Sequence, residues 1–263
     1  MKKSLILLFC IMMTQSSFAQ DASSIKLSRK EIKKQQIDSL LKSDEEGIIK
    51  SKRHFLAGFK FISDGYGGFI EYGVTKSSRK SSLFQLEIAE RKHLKEEKYK
   101  TDFDISTPFV FGKLNYFYPI KIGYQQQILL GNKGNKNGVN ITVNFGGGLS
   151  LALLKPYYVQ FEKTNGEIAL VKFSDLNINY FLDSAYLIGA PSFSQGWNQL
   201  NWIPGIYVKP SLRFDYGRFN EVISALEIGL NAEYYTKKIP QLLNFKQEYF
   251  IGAYVSVLFG RRK

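Results

Sequence analysis

Glu221–Tyr235 reads EVISALEIGLNAEYY. Val222, Ser224, Leu226, Ile228, Leu230, Ala232 and Tyr234 share one face of this stretch. Glu221, Ile223, Ala225, Glu227, Gly229, Asn231 and Glu233 share the other. A period of two is the period of a β-strand, whose side chains point alternately to opposite faces. A soluble sheet usually uses strands of about five or six residues, and this alternation runs much longer. The same pattern recurs in Ile206–Tyr216, where Ile206, Val208, Pro210, Leu212, Phe214 and Tyr216 oppose Tyr207, Lys209, Ser211, Arg213 and Asp215. In Val139–Leu153, Val139, Ile141, Val143, Phe145, Leu149, Leu151 and Leu153 face away from Asn140, Thr142, Asn144 and Ser150. Strands of about ten residues or more, with aromatic ends and one polar face, are the signature of a transmembrane β-barrel.

Working outward in both directions, alternation predicts eight strands: 55–63, 66–75, 82–93, 115–130, 138–153, 204–216, 221–236 and 247–260. An even number of antiparallel strands puts both barrel ends of the chain on one side of the membrane, the periplasmic side in bacterial barrels. Lys76–Ser81, Gly131–Gly138 and Gly217–Asn220 then form periplasmic turns. Ser63–Gly65, Leu94–Leu114, Leu154–Gly205 and Lys237–Lys246 form outer loops, and Phe109–Leu114 is a further candidate for pairing. The third outer loop is far longer than ordinary connections, so it is expected to carry structure of its own.

The face opposite lipid collects Lys60, Glu71, Glu87, Lys121, Lys209, Arg213, Asp215, Glu227 and Glu233, four bases against five acids. An eight-stranded barrel is just wide enough for side chains to fill. Charges there must pair or meet water, because an isolated buried charge is too costly. The interior therefore reads as a closed, salt-bridged scaffold, with a narrow channel as the alternative.

The two ends of the chain are different in kind. Lys2 and Lys3, the apolar run Leu5–Met13 and the small-x-small site Ser17-Phe18-Ala19 follow the layout of a secretory signal peptide, assigned to residues 1–19. That run is too short to span a bilayer as a helix. Residues 20–54 hold nine Lys/Arg against six Asp/Glu and no aromatic residue. With Ser28-x-x-Glu31 and Ser43-x-x-Glu46 as capping boxes, they read as a periplasmic arm with one or two short helices. The barrel takes 55–263. Cys10 is the one cysteine and lies in the leader, so neither a disulfide nor a thiolate site is expected. The chain carries a formal charge of +13. An exported barrel offers no groove for nucleic acid, and the charge is better assigned to anionic headgroups or an acidic protein partner.

Candidate sites are few. A barrel enzyme that modifies lipid needs a histidine beside a serine and a carboxylate. His93 is the candidate base, but no serine is compellingly placed in the sequence. His54 reads as an interface residue at the start of the first strand. These two histidines make no zinc site. Gly131–Gly138 lacks the Lys-Ser/Thr ending and the following helix of a phosphate loop, and reads as a turn. Gly146-Gly147-Gly148 marks bending or close packing in the lumen. Asp102 and Asp104 have no specific calcium spacing. No catalytic residue, metal or cofactor is assigned.

Four stretches carry a resemblance: Phe59–Gly73 (FKFISDGYGGFIEYG), Gly112–Tyr118 (GKLNYFY), Phe145–Tyr158 (FGGGLSLALLKPYY) and the strand ending NAEYYTKKIPQL. Over most of 55–263 the chain resembles a family of small outer-membrane barrels of Bacteroidota, known as hypothetical outer-membrane proteins. Lys113-Leu114-Asn115, Gly-Gly-Leu-Ser and Leu154-Lys155-Pro156 are the distinctive parts. Ile62-Ser63 departs from the Asn-Thr that the family often carries before Asp-Gly. The resemblance implies an integral outer-membrane subunit, with members linked to the β-barrel assembly machinery. Asp183-Ser184-Ala185 and Asp38-Ser39-Leu40 look like the O-glycosylation tripeptide of that phylum, with Ser184 and Ser39 as acceptors. The expected protein is a non-enzymatic outer-membrane barrel, in contact with outer-membrane lipids and with assembly-machinery subunits. A small channel or transporter, and a lipid-modifying barrel enzyme, are the alternatives.

Overall fold

A computed structural model of the chain describes residues 52–100, 107–133, 138–163, 165–172, 187–217 and 222–263. The leader, Ser39, Asp102, Asp104 and Ser184 lie outside these residues, as does all but the last three residues of the predicted arm. Eight long strands form the wall: β1 Arg53–Ile62, β2 Gly65–Ser77, β3 Lys80–Arg91, β4 Asn115–Gly131, β5 Asn140–Pro156, β6 Asn201–Asp215, β7 Val222–Leu242 and β8 Phe245–Arg262. Each pairs antiparallel with its neighbours in the chain. β1 closes on β8 from His54↔Arg262 to Ile62↔Tyr254, giving a closed ring in the order β1-β8-β7-β6-β5-β4-β3-β2. The protein is an all-β, eight-stranded antiparallel barrel. Closure satisfies the backbone of the wall and abolishes sheet edges there, a requirement in hydrocarbon.

The two faces of the wall invert the usual order. Phe59, Leu149 and Ile251 point outward at 69%, 71% and 78% exposure, within a continuous apolar surface. Lys60, Glu71, Glu87, Lys121, Lys209, Arg213 and Glu227 point inward and are buried. So large an apolar surface cannot face water, and this one fits a membrane-spanning band. Aromatic side chains flank it: Phe61, Tyr66, Trp202, Tyr234 and Tyr249 towards the loops, and Phe55, Tyr72, Phe84, Tyr124 and Phe259 towards the strand ends opposite. Such girdles mark the two membrane interfaces.

Inside, Gly123 pairs with Gly148 across β4 and β5. The Tyr207 ring lies over them: a Cβ on Gly123 would come 2.2 Å from Tyr207 Oη and 2.6 Å from Gly147 O. The glycine run predicted to mark close packing lies tight against its neighbouring strands, where a Cβ on Gly146, Gly147 or Gly148 would come 2.2, 2.3 or 2.2 Å from a backbone carbonyl oxygen.

The last hairpin corrects the sequence reading. Lys237–Lys246, expected to be an outer loop, continues the two strands to a tight turn at Leu243–Asn244. A register shift between Tyr234 and Ile239 bends it, and it folds over the barrel mouth. β4 and β7 are separated in the ring by β5 and β6. Even so, Leu114 N–H donates to Gln241 O and Leu243 N–H to Gly112 O, both at 2.9 Å. Asn115 Nδ2 donates to Pro240 O at 2.8 Å.

Above this cover sits a small headpiece. Phe109–Val110 does pair, with Lys98–Tyr99. The long third loop is structured, as expected, with a three-stranded sheet ordered Leu187–Gly189, Tyr158–Glu162, Ile168–Lys172. Phe109, Val110, Tyr157, Val159 and Leu242 form its apolar core, and Tyr157 Oη accepts the Val110 N–H at 2.9 Å.

Candidate functional site

The alternation of β1 to β8 aims charged side chains at one another across the lumen. Arg213 on β6 donates to both carboxylate oxygens of Glu71 on β2, at 2.8 and 2.7 Å. Its Nε reaches Glu227 on β7 at 2.8 Å. Glu227 also lies 3.3 Å from Lys209 Nζ and accepts from Tyr254 Oη at 2.7 Å and Asn144 Nδ2 at 3.1 Å. Glu87 takes Lys60 and, at 3.1 Å, Lys121. Lys121 passes on to Glu233 at 2.6 Å, and Glu233 to Arg91 at 2.7 Å. Arg91 ends the chain on Asp64 at 2.8 Å. At the opposite end Arg262 binds Asp215.

Each lumen residue predicted from sequence faces an opposite charge inside the barrel, Asp215 in a separate pair with Arg262, and the structure adds further members. Arg91 and Arg262 share the inward parity of Glu87 and Ser256, so the period-two rule could have found both. Asp64 lies in the β1–β2 turn, where no periodicity applies. His54 corrects its reading as an interface residue. It is buried, with Nε2 3.8 Å from Glu71 Oε1, because it shares parity with Leu56 and Lys60 and so points inward. Among the described residues Lys60, Arg91, Lys121, Lys209, Arg213 and Arg262 meet Asp64, Glu71, Glu87, Asp215, Glu227 and Glu233, one carboxylate for each cation.

Apolar layers seal the charged one. Leu56, Phe69, Ile223, Ala225 and Leu258 pack on the side of the strand termini. Phe117, Ala152, Leu154, Ile203, Tyr235, Ile239 and Phe250 pack beneath the mouth. Burial between these layers removes screening, so each ion must be matched by a partner. This arrangement suits a rigid filler of the lumen. Towards the strand termini it leaves a cavity of about 70 Å³ beside His54, Asp215 and Arg262.

A second cavity, about 500 Å³, opens at the loop rim between Ser63, Asp64, His93, Lys95, Phe245 and Tyr249. Serine, carboxylate and histidine therefore border one space, but their bonds form no relay. Asp64 is engaged by Arg91. His93 Nδ1 accepts the Lys95 N–H at 3.2 Å and so cannot donate to a carboxylate, as an orienting triad requires. Ser63 Oγ faces Gly252. Burial holds His93 below the ordinary imidazole value, against Glu96 and with the help of Lys95. The ring stacks on Phe245 at 4.8 Å.

No protein-family model matches the sequence, and no curated protein matches it. Solved structures align with the chain over most of its length. Neisserial surface protein A aligns over 81% of this chain and 98% of its own at 11% identity, with a TM-score of 0.39. The N-terminal β-barrel domain of Pseudomonas aeruginosa OprF aligns over 80% and 98% at 15% identity, with 0.32. Ail of Yersinia pestis, crystallised with the heparin analogue sucrose octasulfate, aligns over 80% and 97% at 10% identity, with 0.33.

Proposed function

We propose that this chain is a non-enzymatic, integral outer-membrane barrel and an accessory subunit of an outer-membrane protein assembly complex. The observation that carries the reading is the double closure of the barrel. Its lumen is filled by matched ions between apolar layers, and its mouth is covered by the β7–β8 hairpin. A barrel built in this way has its lipid face, headpiece and periplasmic rim left to work with, and those are surfaces for partners. The apolar girdled wall and the leader-like residues 1–19 support an outer-membrane setting. The resemblance of Phe59–Gly73 and Phe145–Tyr158 to the Bacteroidota barrel family supports the assembly role. Ser184 and Ser39 are proposed as O-glycan acceptors on the same grounds.

The test is affinity capture of the tagged full chain from gently solubilised outer membranes. Assembly-machinery subunits are expected in constant ratio to the barrel. Recovery of the barrel alone would overturn the role.

A further inference from the structure

Gly68 differs from the other glycines of the wall near it. A Cβ on Gly67 would lie 2.4 Å from Ile88 O, and one on Gly148 2.2 Å from Ile122 O. On Gly68 the nearest atom would be Gly58 O at 3.6 Å, an ordinary contact, and Gly68 is not among the glycines with positive φ. Neither packing nor backbone geometry calls for glycine there. Its side-chain direction is outward, in step with Tyr66 and Ile70. Gly58 and Gly68 floor an apolar notch of about 430 Å³ on the lipid face, walled by Ile70, Leu86, Ile88 and Ile120.

Two residues up β2, about 7 Å by the rise of a strand, Tyr66 stands in the girdle, with Lys92 Nζ 5.2 Å above its ring. The rim is lowest here, because β1 and β2 turn at Ser63–Asp64 while β8 continues beyond them to Phe245. The 500 Å³ rim cavity fills that step, and the lipid-facing Tyr249 and Ile251 line it together with Lys92 and Lys95. Its acidic groups are taken. Asp64 pairs with Arg91, Glu96 with Lys113, and Glu90 accepts from Tyr66 Oη at 2.6 Å. Lys92 lies 3.8 Å from Glu90. Lys95 has no carboxylate at ion-pair distance among the described residues and rests on the Phe245 ring at 4.3 Å. Lys92 thus stands over a girdle ring, where lipid phosphates lie, on the Tyr66 side of the notch, and Lys95 lines the same rim cavity.

We propose that this flank binds one anionic phospholipid-type amphiphile, its phosphate against Lys92 and Lys95 and one acyl chain in the notch over Gly68. A notch alone would accept any chain of the surrounding lipid, and the lysines alone any anion. Their placement on one flank of the barrel selects a molecule that has both parts. The site requires the membrane setting of the barrel and is independent of the assembly role.

The test uses the full chain in vesicles of digalactosyldiacylglycerol containing a minor share of phosphatidylglycerol. Mild detergent extraction and native mass spectrometry then count retained lipid. One phosphatidylglycerol per barrel is expected. Retention should fall roughly tenfold or more in Lys92→Gln/Lys95→Gln, and fall also in Gly68→Leu, whose side chain intrudes on the floor of the notch. Lys237→Gln/Lys238→Gln, on exposed β7 positions, should leave it unchanged, and all variants should keep the heat-dependent gel shift of a folded barrel. Undiminished retention in either site variant, equal loss in the β7 variant, or displacement by inorganic phosphate would overturn the proposal.

Discussion

The lumen and the headpiece share strand β7 and obey opposite rules. Within the wall, Leu226, Ile228 and Leu230 of β7 face outward while Glu227 and Glu233 face in. A few residues further along the same strand, Ile239 and Leu242 are the buried groups, and Leu242 joins the apolar core with Phe109 and Tyr157. Strand β7 runs through both regions, while the surrounding medium changes. Where hydrocarbon lies outside, apolar side chains are spent on the exterior and the interior must be held by ions. Where water lies outside, burial of apolar area again supplies the driving force. A single strand can therefore have its hydrophobic pattern inverted at the membrane surface, here across the register shift after Tyr234.

The comparison breaks first if the ionic interior is dispensable. Arg213→Ala leaves Glu71 and Glu227 short of their shared cation. Removing one partner of such a buried set costs about 3–5 kcal/mol, read as a lower urea midpoint for loss of the heat-dependent gel shift in lipid. Leu242→Ala attacks the other rule. It should cost about 2–3 kcal/mol, but locally: protease cleavage within 107–114 or 187–200 rises while the barrel keeps its gel shift. Gly123→Ala sharpens the account of the lumen. The new methyl collides with Tyr207 and with Gly147 O, an overpacking cost of about 1–2 kcal/mol, of which Tyr207→Leu in the same chain should relieve the part due to the ring.

The smallest effect is at Lys113, which sits above the membrane and pairs with Glu96 at 2.7 Å. Burial, opposed by Glu96, holds its ammonium group below the ordinary 10.5. The closed cover then binds fewer protons than the opened one between that lowered value and 10.5. Cover stability should therefore rise with pH through this window and be flat below it. Slower cleavage near Lys113 as pH approaches 10.5, absent in Lys113→Met, is the expected observation.

How far the sequence could be read follows the same boundary. The alternation of Glu221–Tyr235 and its companions yields the strand number and nearly all lumen charges, because period two converts directly into inside and outside. His54 went astray although its parity with Lys60 points inward, because position near a strand end outweighed parity. The final hairpin reads as a loop because its alternation is interrupted where the register shifts after Tyr234. The crossing of Leu114 to Gln241 had no local signature, since it joins segments far apart in the chain. The rim cavity was invisible for the same reason: it arises from the unequal heights of β1 and β8, which no single strand records.

Arg213 and Glu71 stand 142 residues apart in the chain, as do Arg91 and Glu233. In the ring β6 lies four strands from β2 by either route, and β3 lies four from β7, so each pair spans a diameter. Such spokes cannot form in a partly assembled sheet. An open seam between β1 and β8 would leave the walls apart, with guanidinium and carboxylate groups bare to hydrocarbon. Insertion and closure are therefore energetically coupled. The barrel gains its interior only in the step that completes the circle, and sideways opening at the seam would have to break the same spokes in reverse.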